Sequence, residues 1–560
     1  MTKKQQKIIL LFAISLIFIN PIQSFAQGFA GPSRVSGNFQ FDGQLYRSDT
    51  LIGAPEVNEQ MLMNSFANLL FTKGDFTAGL RFEYYLNPIK GYDTKPTGIG
   101  MPYRFMTYKT GDFEVTAGSF YEQFGNGLIL RAYEDWNLGV DNFLDGLRVK
   151  FNPAEGIALK GVYGKQRYFW DHSPGIVRGI DADFSINDLV NSMKESSVRV
   201  FAGAGMVSKY QQDELIIPKP GYRYNLPENV PAYSGRLNLS SSNFNFISEY
   251  AYKMNDPSSI NGFIYKPGQS LYLSATYFRP GLSLMASAKH TDNMSYKSRR
   301  TESTTLDINF LPPLTKQHTY NLSAMYPYAT QPNGEVAFQG QIIYTIKRRT
   351  KIGGNYGTFI TANYAIVNSL NRKSIDNDTP IGEKGTLGYK AALFDMGDEK
   401  YFRDLNIEIS RRMNRDLKVT LQYLNLLYNI DVIEGHPGEP NVKANIGIAD
   451  IQYRLTPTKT LRFEYQHLLT KQDKGNWAMA LVEYTIAPKW SFSISDSYNY
   501  GNPESDQKRH YYNATMGYTH HSSRIALAWG RQREGIVCVG GVCRYVPASS
   551  GLTITITSSF

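Results

Sequence analysis

The last ten residues, Gly551-Leu552-Thr553-Ile554-Thr555-Ile556-Thr557-Ser558-Ser559-Phe560, alternate apolar and hydroxyl side chains and end on an aromatic ring. Successive side chains of an extended strand point to opposite faces, so Leu552, Ile554, Ile556 and Phe560 share one face and Thr553, Thr555 and Thr557 the other. A wall strand of a transmembrane barrel needs this division, with apolar groups toward lipid and polar groups toward the lumen. The period recurs where Phe76, Ala78, Leu80, Phe82 and Tyr84 alternate with Thr77, Gly79, Arg81, Glu83 and Tyr85. It recurs again where Leu405, Ile407 and Ile409 alternate with Asn406, Glu408 and Ser410. Leu417, Val419 and Leu421 alternate with Lys418, Thr420 and Gln422, and Leu461, Phe463 and Tyr465 with Arg462, Glu464 and Gln466. Neighbouring inward Arg and Glu residues are suited to pair across strands.

The other terminus implies export. Lys3, Lys4 and Lys7 precede the apolar run Ile8 to Ile19, and Ser24-Phe25-Ala26 supplies a small-x-small cleavage pattern, so residues 1–26 read as a signal peptide removed near Ala26. No later stretch approaches the ~20 consecutive apolar residues of a membrane helix, so a membrane crossing has to be made by strands. The final strand resembles the carboxy-terminal insertion signal of bacterial outer-membrane β-barrels. It implies delivery by the barrel assembly machinery through Phe560 to the outer membrane of a Gram-negative cell, with outer-membrane lipid and lipopolysaccharide as surroundings. With 39 Tyr, 31 Phe and 48 Gly, the chain is rich in rings suited to membrane interfaces and in turn formers. The net charge of +10 falls to about +7 without the three signal lysines, too mild and too dispersed for a nucleic-acid partner. Its nearest basic clusters, Lys297 to Arg300 and Lys347 to Arg349, are expected in turns.

Turn signals set the strand count. Short connections are expected near 72–75, 110–112, 152–156, 240–243, 279–281, 311–316, 347–351, 413–416, 456–459, 487–489 and 520–523, with a longer one at 187–196. Long connections such as 88–101, 208–231, 254–267, 367–399 and 533–550 alternate with them, as periplasmic turns and external loops do. The tally is an all-β, single antiparallel barrel over residues 27–560 with about 26 strands, in a range of about 20 to 26. An even count requires Leu387 to Met396 to belong to a loop. Such a barrel would be on the order of 50 Å across, so the lumen is expected to be closed down by the loops 121–141 and 367–399, by a flattened cross-section or by a partner.

Cys538 and Cys543 bracket Val-Gly-Gly-Val and are disulfide candidates in an oxidising compartment. No metal site or cofactor is expected, and the eight histidines form no catalytic pattern, so an enzyme is not expected.

The most distinctive stretch is Tyr121-Glu122-Gln123-Phe124-Gly125-Asn126-Gly127-Leu128-Ile129-Leu130-Arg131-Ala132-Tyr133-Glu134, followed by Leu144-Asp145-Gly146-Leu147-Arg148 and Gly161 to Asp171. With Met101 to Phe105 it resembles a Bacteroidota outer-membrane family known only as a domain of unknown function. The likeness is densest from about 60 to 185 and implies membrane and architecture, but no reaction. In the 121–141 segment, glycines break strand pairing, and its charges disfavour lipid contact. Arg131, Arg148, Lys165 and Arg167 against Glu122, Glu134, Asp135 and Asp171 are the expected lumenal charge cluster. Arg81, Glu83, Lys418, Arg462 and Glu464 are further lumen candidates. A channel or transporter is the leading expectation. A structural or assembly component that presents external loops to protein partners is the alternative.

Overall fold

The alternating segments become strands because each can give one face to an apolar environment and keep the other polar, and every one pairs antiparallel with its chain neighbour. The computed structural model describes residues 33–560 except 137, 540 and 541, and places 24 strands in one sheet. The expected signal peptide lies outside the described residues. The first strand, Ser33–Arg47, pairs with Met61–Lys73 and also with the last, Ser549–Ser559, so that Phe41 lies opposite both Ser65 and Ile556. This closes the barrel and removes the free edges that an open sheet would expose.

The apolar register faces outward, with Leu421, Phe463 and Ile494 exposed to 51%, 44% and 68%, whereas inward Asn406 and Gln466 are fully buried. Short turns such as 74–75, 111–112 and 457–458 share one rim with residues 33 and 560. Long connections, among them 121–143, 211–228, 293–333 and 371–395, share the other.

The count of 24 falls within the expected range of about 20 to 26, and the two strands by which it departs from the tally of about 26 lie around one expected turn. Leu311 to Lys316 is not a turn between wall strands; the whole of 293–333 is one connection between Leu282–Asp292 and Gly334–Ile346. Pro312, Pro313, Pro327 and Pro332 remove ladder donors along it, which disqualifies the stretch as wall. The basic cluster at 297–300 is accordingly no exposed turn, since Lys297 and Arg300 are buried.

The second correction concerns 367–399, which does not fill the lumen. Its ends belong to the wall strands Thr358–Leu370 and Met396–Arg412. The connection between them folds over the outer face, where Tyr389 OH donates to Asp292 Oδ1 at 2.7 Å and Phe394 stacks on outward-facing Phe338 at 5.9 Å. His290 and Asp292 sit on the outward register, opposite Leu271 and Gln269, and the loop buries both. The physical reason is that bare ionisable groups on a lipid-facing wall are costly, and the rings of Tyr389 and Phe394 cover these two.

Candidate functional site

Two connections pack against the inner face. In 121–143, Phe124, Leu128, Ile129 and Leu130 are buried against inward Val177, Val207, Val230 and Ala251. The inner wall thus offers apolar positions where this segment docks. Glu249, on the strand Phe244–Lys253, accepts from the Asn126 backbone N at 2.6 Å and from Asn126 Nδ2 at 2.8 Å. Gly125 has φ +52, and a Cβ there would lie 2.5 Å from the Glu249 carboxylate, so only glycine lets the loop approach its clamp. Glu249→Gln is expected to weaken this clamp by about 1–3 kcal/mol, because the charged oxygen that accepts from both Asn126 donors is exchanged for a neutral amide oxygen. Faster proteolysis of 121–143 in the folded barrel, with the wall intact, is the measurement that checks it.

The connection 293–333 starts on one side of the interior, where Tyr296 OH donates to Val230 O at 2.6 Å and Lys253 Nζ to Ser295 O at 2.6 Å. Lys289 Nζ, ion-paired to Glu335 at 2.8 Å, also donates to Pro312 O. The segment then reaches the far wall. Lys316 Nζ donates to Asn406 Oδ1 at 2.8 Å, His318 Nε2 lies 2.7 Å from Asp404, and Leu322 N donates to Gln466 Oε1 at 2.7 Å. Leu314, Leu322, Met325, Tyr326 and Tyr328 are buried there among Phe402, Leu424, Tyr428 and Trp477.

A network of charge joins 121–143 to the inner wall. Arg81 Nε donates to Glu83 Oε1 at 2.7 Å and its Nη1 to Glu134 Oε2 at 2.6 Å, while Nη2 pairs with Asp141. Arg167 bridges the same acids, with Nη2 to Glu83 Oε2 and Nη1 to Asp141 Oδ2, both at 2.6 Å. Tyr121 OH stands 2.9 Å from Glu134 and 2.8 Å from Asp141. Burial first, and the adjacent Asp141 and Glu134 carboxylates next, hold its phenol far above the usual range, so it remains a proton donor. Burial likewise pushes the Tyr133 phenol up to about 12.

Arg81, Glu83, Glu134 and Arg167 thus meet in one cluster. Glu122 and Arg148 form a neighbouring one, with Glu122 2.9 Å from Lys150 and Arg148 2.8 Å from Glu114. Arg131 lies over the rings of Tyr133 and Phe310 at 4.4 and 4.0 Å. Asp135 accepts from Leu138 N in a turn. Arg462 joins Asp450 at 3.0 Å and also pairs with Glu464, while Lys418 lies exposed near the short-turn rim.

Two expected members are elsewhere. Lys165 is exposed on the outer register opposite Asp145, because Gly164 and Gln166 take the inward positions beside it. The Asp171 side chain is 91% exposed at the Tyr168–Asp171 hairpin, outside the cluster. Sequence reasoning missed Asp141, Glu249, Lys289 and Glu335. The inward register of Lys289 was readable in principle, but the adjacent His290 and Asp292 blurred the alternation.

A cavity of about 400 Å³ opens beside the network, lined by Tyr85, Tyr92, Trp136, Phe310, Asp141 and Lys297. Cys543 also borders it, from a hairpin of Gly535–Val539 and Val542–Val546 in which Cys538 and Cys543 form a disulfide with Cα atoms 4.0 Å apart. Rings with polar edges beside neutralised ion pairs can hold and orient a polar solute.

The model of a family described as a family of unknown function (DUF6029) matches residues 3–560. No curated protein matches the sequence. Among solved structures, the siderophore receptor PirA from Pseudomonas aeruginosa is 10% identical, over 95% of this chain and 81% of that one, with a TM-score of 0.38. The P pilus usher PapC translocation pore is 8% identical, over 94% and 99%, with a TM-score of 0.42. The outer membrane transporter YddB from Escherichia coli is 9% identical, over 95% and 81%, with a TM-score of 0.36. At these TM-scores the likeness carries no functional argument.

Proposed function

We infer, on the premise that the chain belongs to the DUF6029 family of unknown function, that it is an outer-membrane barrel that passes or selectively binds a polar solute through a constricted lumen. The likeness of the 121–134 stretch and its neighbours to a Bacteroidota outer-membrane family supports a source in that group. The apolar outer register supports the membrane, and the observation that carries the constriction is the 293–333 segment, whose Asp307 O accepts from Gln166 on one side of the inner wall and whose Leu322 N donates to Gln466 twelve strands away. Solute selection rests on the Arg81, Glu83, Glu134 and Arg167 network and on Arg131 at the 121–143 segment, by electrostatics and hydrogen bonding without bond making. No resident cofactor or metal enters this reading. In planar bilayers the wild-type protein is expected to give no steady large conductance; a wide, permanently open pore is the result that rejects constriction.

One observation favours a second reading, a structural or assembly component without transport. The outward-folded 371–395 connection presents Ile381, Leu387 and Leu393 at 49%, 58% and 48% exposure. A scaffold predicts that stoichiometric protein partners co-purify and are lost when 376–388 is removed. A transporter predicts flux that changes on replacing Arg131 or Glu134, with no such partners.

A further inference from the structure

We propose that the outer face of the barrel binds the phosphate of a membrane-lipid headgroup through Lys165 and Arg178, with Arg104 and His172 beside them. The proposal rests on the membrane-spanning reading above. Strand register places these groups on one face. Asp145 opposes both Ser119 and Lys165, Lys165 opposes Ile176, and Arg178 opposes Tyr163, two positions nearer the short-turn rim. That register is the lipid-facing one, because Leu147, Tyr163 and Ile180 on it are exposed to 46%, 53% and 66%. The row of Asp145 and Lys165 is also close to the long-loop ends of its strands, Leu144–Ala154 and Ile157–Tyr168. The charges therefore sit at the upper border of the apolar belt, where headgroups lie.

The charge balance there is uneven. Asp145 is approached by His172 at 3.0 Å and Arg104 at 3.5 Å. Among the described residues, neither Lys165 nor Arg178 has a carboxylate within the 4.0 Å of an ion pair, and Arg178 donates to the neutral side chain of Asn229. Asp145, across the ladder from Lys165, is already engaged by His172 and Arg104, so the patch carries excess positive charge toward the bilayer. Cations on a barrel's lipid face cost least at the interface, where anionic lipid supplies the missing charge. A phosphate suits both cations, with its several oxygens accepting from the guanidinium fork and from the ammonium together. Lys165 and Arg178 are diagonal neighbours on adjacent strands, within reach of one such group. The Arg104 guanidinium, 3.5 Å from Asp145, adds positive charge beside them.

The test uses the full-length protein purified in an uncharged detergent, with phosphatidic acid as the probe, read by native mass spectrometry. The wild type is expected to retain phosphatidic acid and not phosphatidylcholine, the K165Q/R178Q variant to bind it about tenfold more weakly, and R178K to keep most of the binding. Equal retention by wild type and K165Q/R178Q overturns the proposal, and so does binding of inorganic phosphate as tight as that of the lipid. Insertion of both proteins into phosphatidylcholine vesicles separates the premise from the site. If both insert and only the wild type selects phosphatidic acid, the proposal stands; if neither inserts, the membrane reading falls and takes the proposal with it.

Discussion

Excision of 295–331, with the ends joined by a short Gly-Ser linker, is expected to turn a barrel that carries no steady current into a wide, continuously open pore. The excision leaves every wall strand in place, and Asp292 and Gly334 are paired neighbours, so a short linker spans the gap without pulling on the sheet. What it removes is the crossing itself, including Tyr296 on one side and Lys316, His318 and Leu322 on the other. Strands ~4.8 Å apart and tilted by ~40° put the backbone diameter for this strand number on the order of 48 Å, far more than 121–143 can fill alone. The variant also leaves Phe402, Leu424, Tyr428 and Trp477 without the apolar cover that the segment provides. At about 25 cal/mol per Å² of apolar surface returned to water, its unfolding temperature should drop while its sheet content stays the same. Single-channel recordings beside a heat-modifiability gel decide the matter. A variant that migrates as folded yet conducts no more than the wild type would falsify the assignment of 293–333 as the constriction.

Arg81→Ala is expected to be the most damaging single substitution in the charge network, costing about 3–5 kcal/mol of stability. The Arg81 side chain is 2% exposed and its partners Glu83 and Asp141 are 0% and 10% exposed, so its removal leaves two carboxylates that water barely reaches with a single cation, Arg167, between them. Much of the loss comes from those stranded acids and not from the missing attraction, which gives the prediction a second arm. Acidification should narrow the deficit, because a neutral carboxyl is cheaper to bury than a carboxylate. Arg81→Lys should fall between, since an ammonium keeps the charge but cannot serve Glu83, Glu134 and Asp141 from one planar fork. Thermal unfolding in detergent across a pH series measures all three. A deficit for Arg81→Ala that is below about 1 kcal/mol, or unchanged by acid, would show the network to be solvated.

The wall was legible in the sequence because alternation is a local property. Whether Leu421 or Gln422 faces out depends on the pleat alone, and the same holds for Arg81, Glu83, Arg462 and Glu464 on the inward register. The Cys538 and Cys543 spacing is equally local. Strand number was decided by tertiary structure at 293–333, whose apolar residues find burial against the inner wall instead of in it, with its prolines excluding a ladder. The direction of each long loop was likewise settled far away in the chain. Asn126 is held by Glu249, Leu322 by Gln466, and Tyr389 by Asp292, and no pattern near any of these residues names its partner. Periodicity tells a chain which side chains share a face. Only closure of the sheet determines what that face meets, since partners distant in sequence become neighbours only once the barrel brings them together.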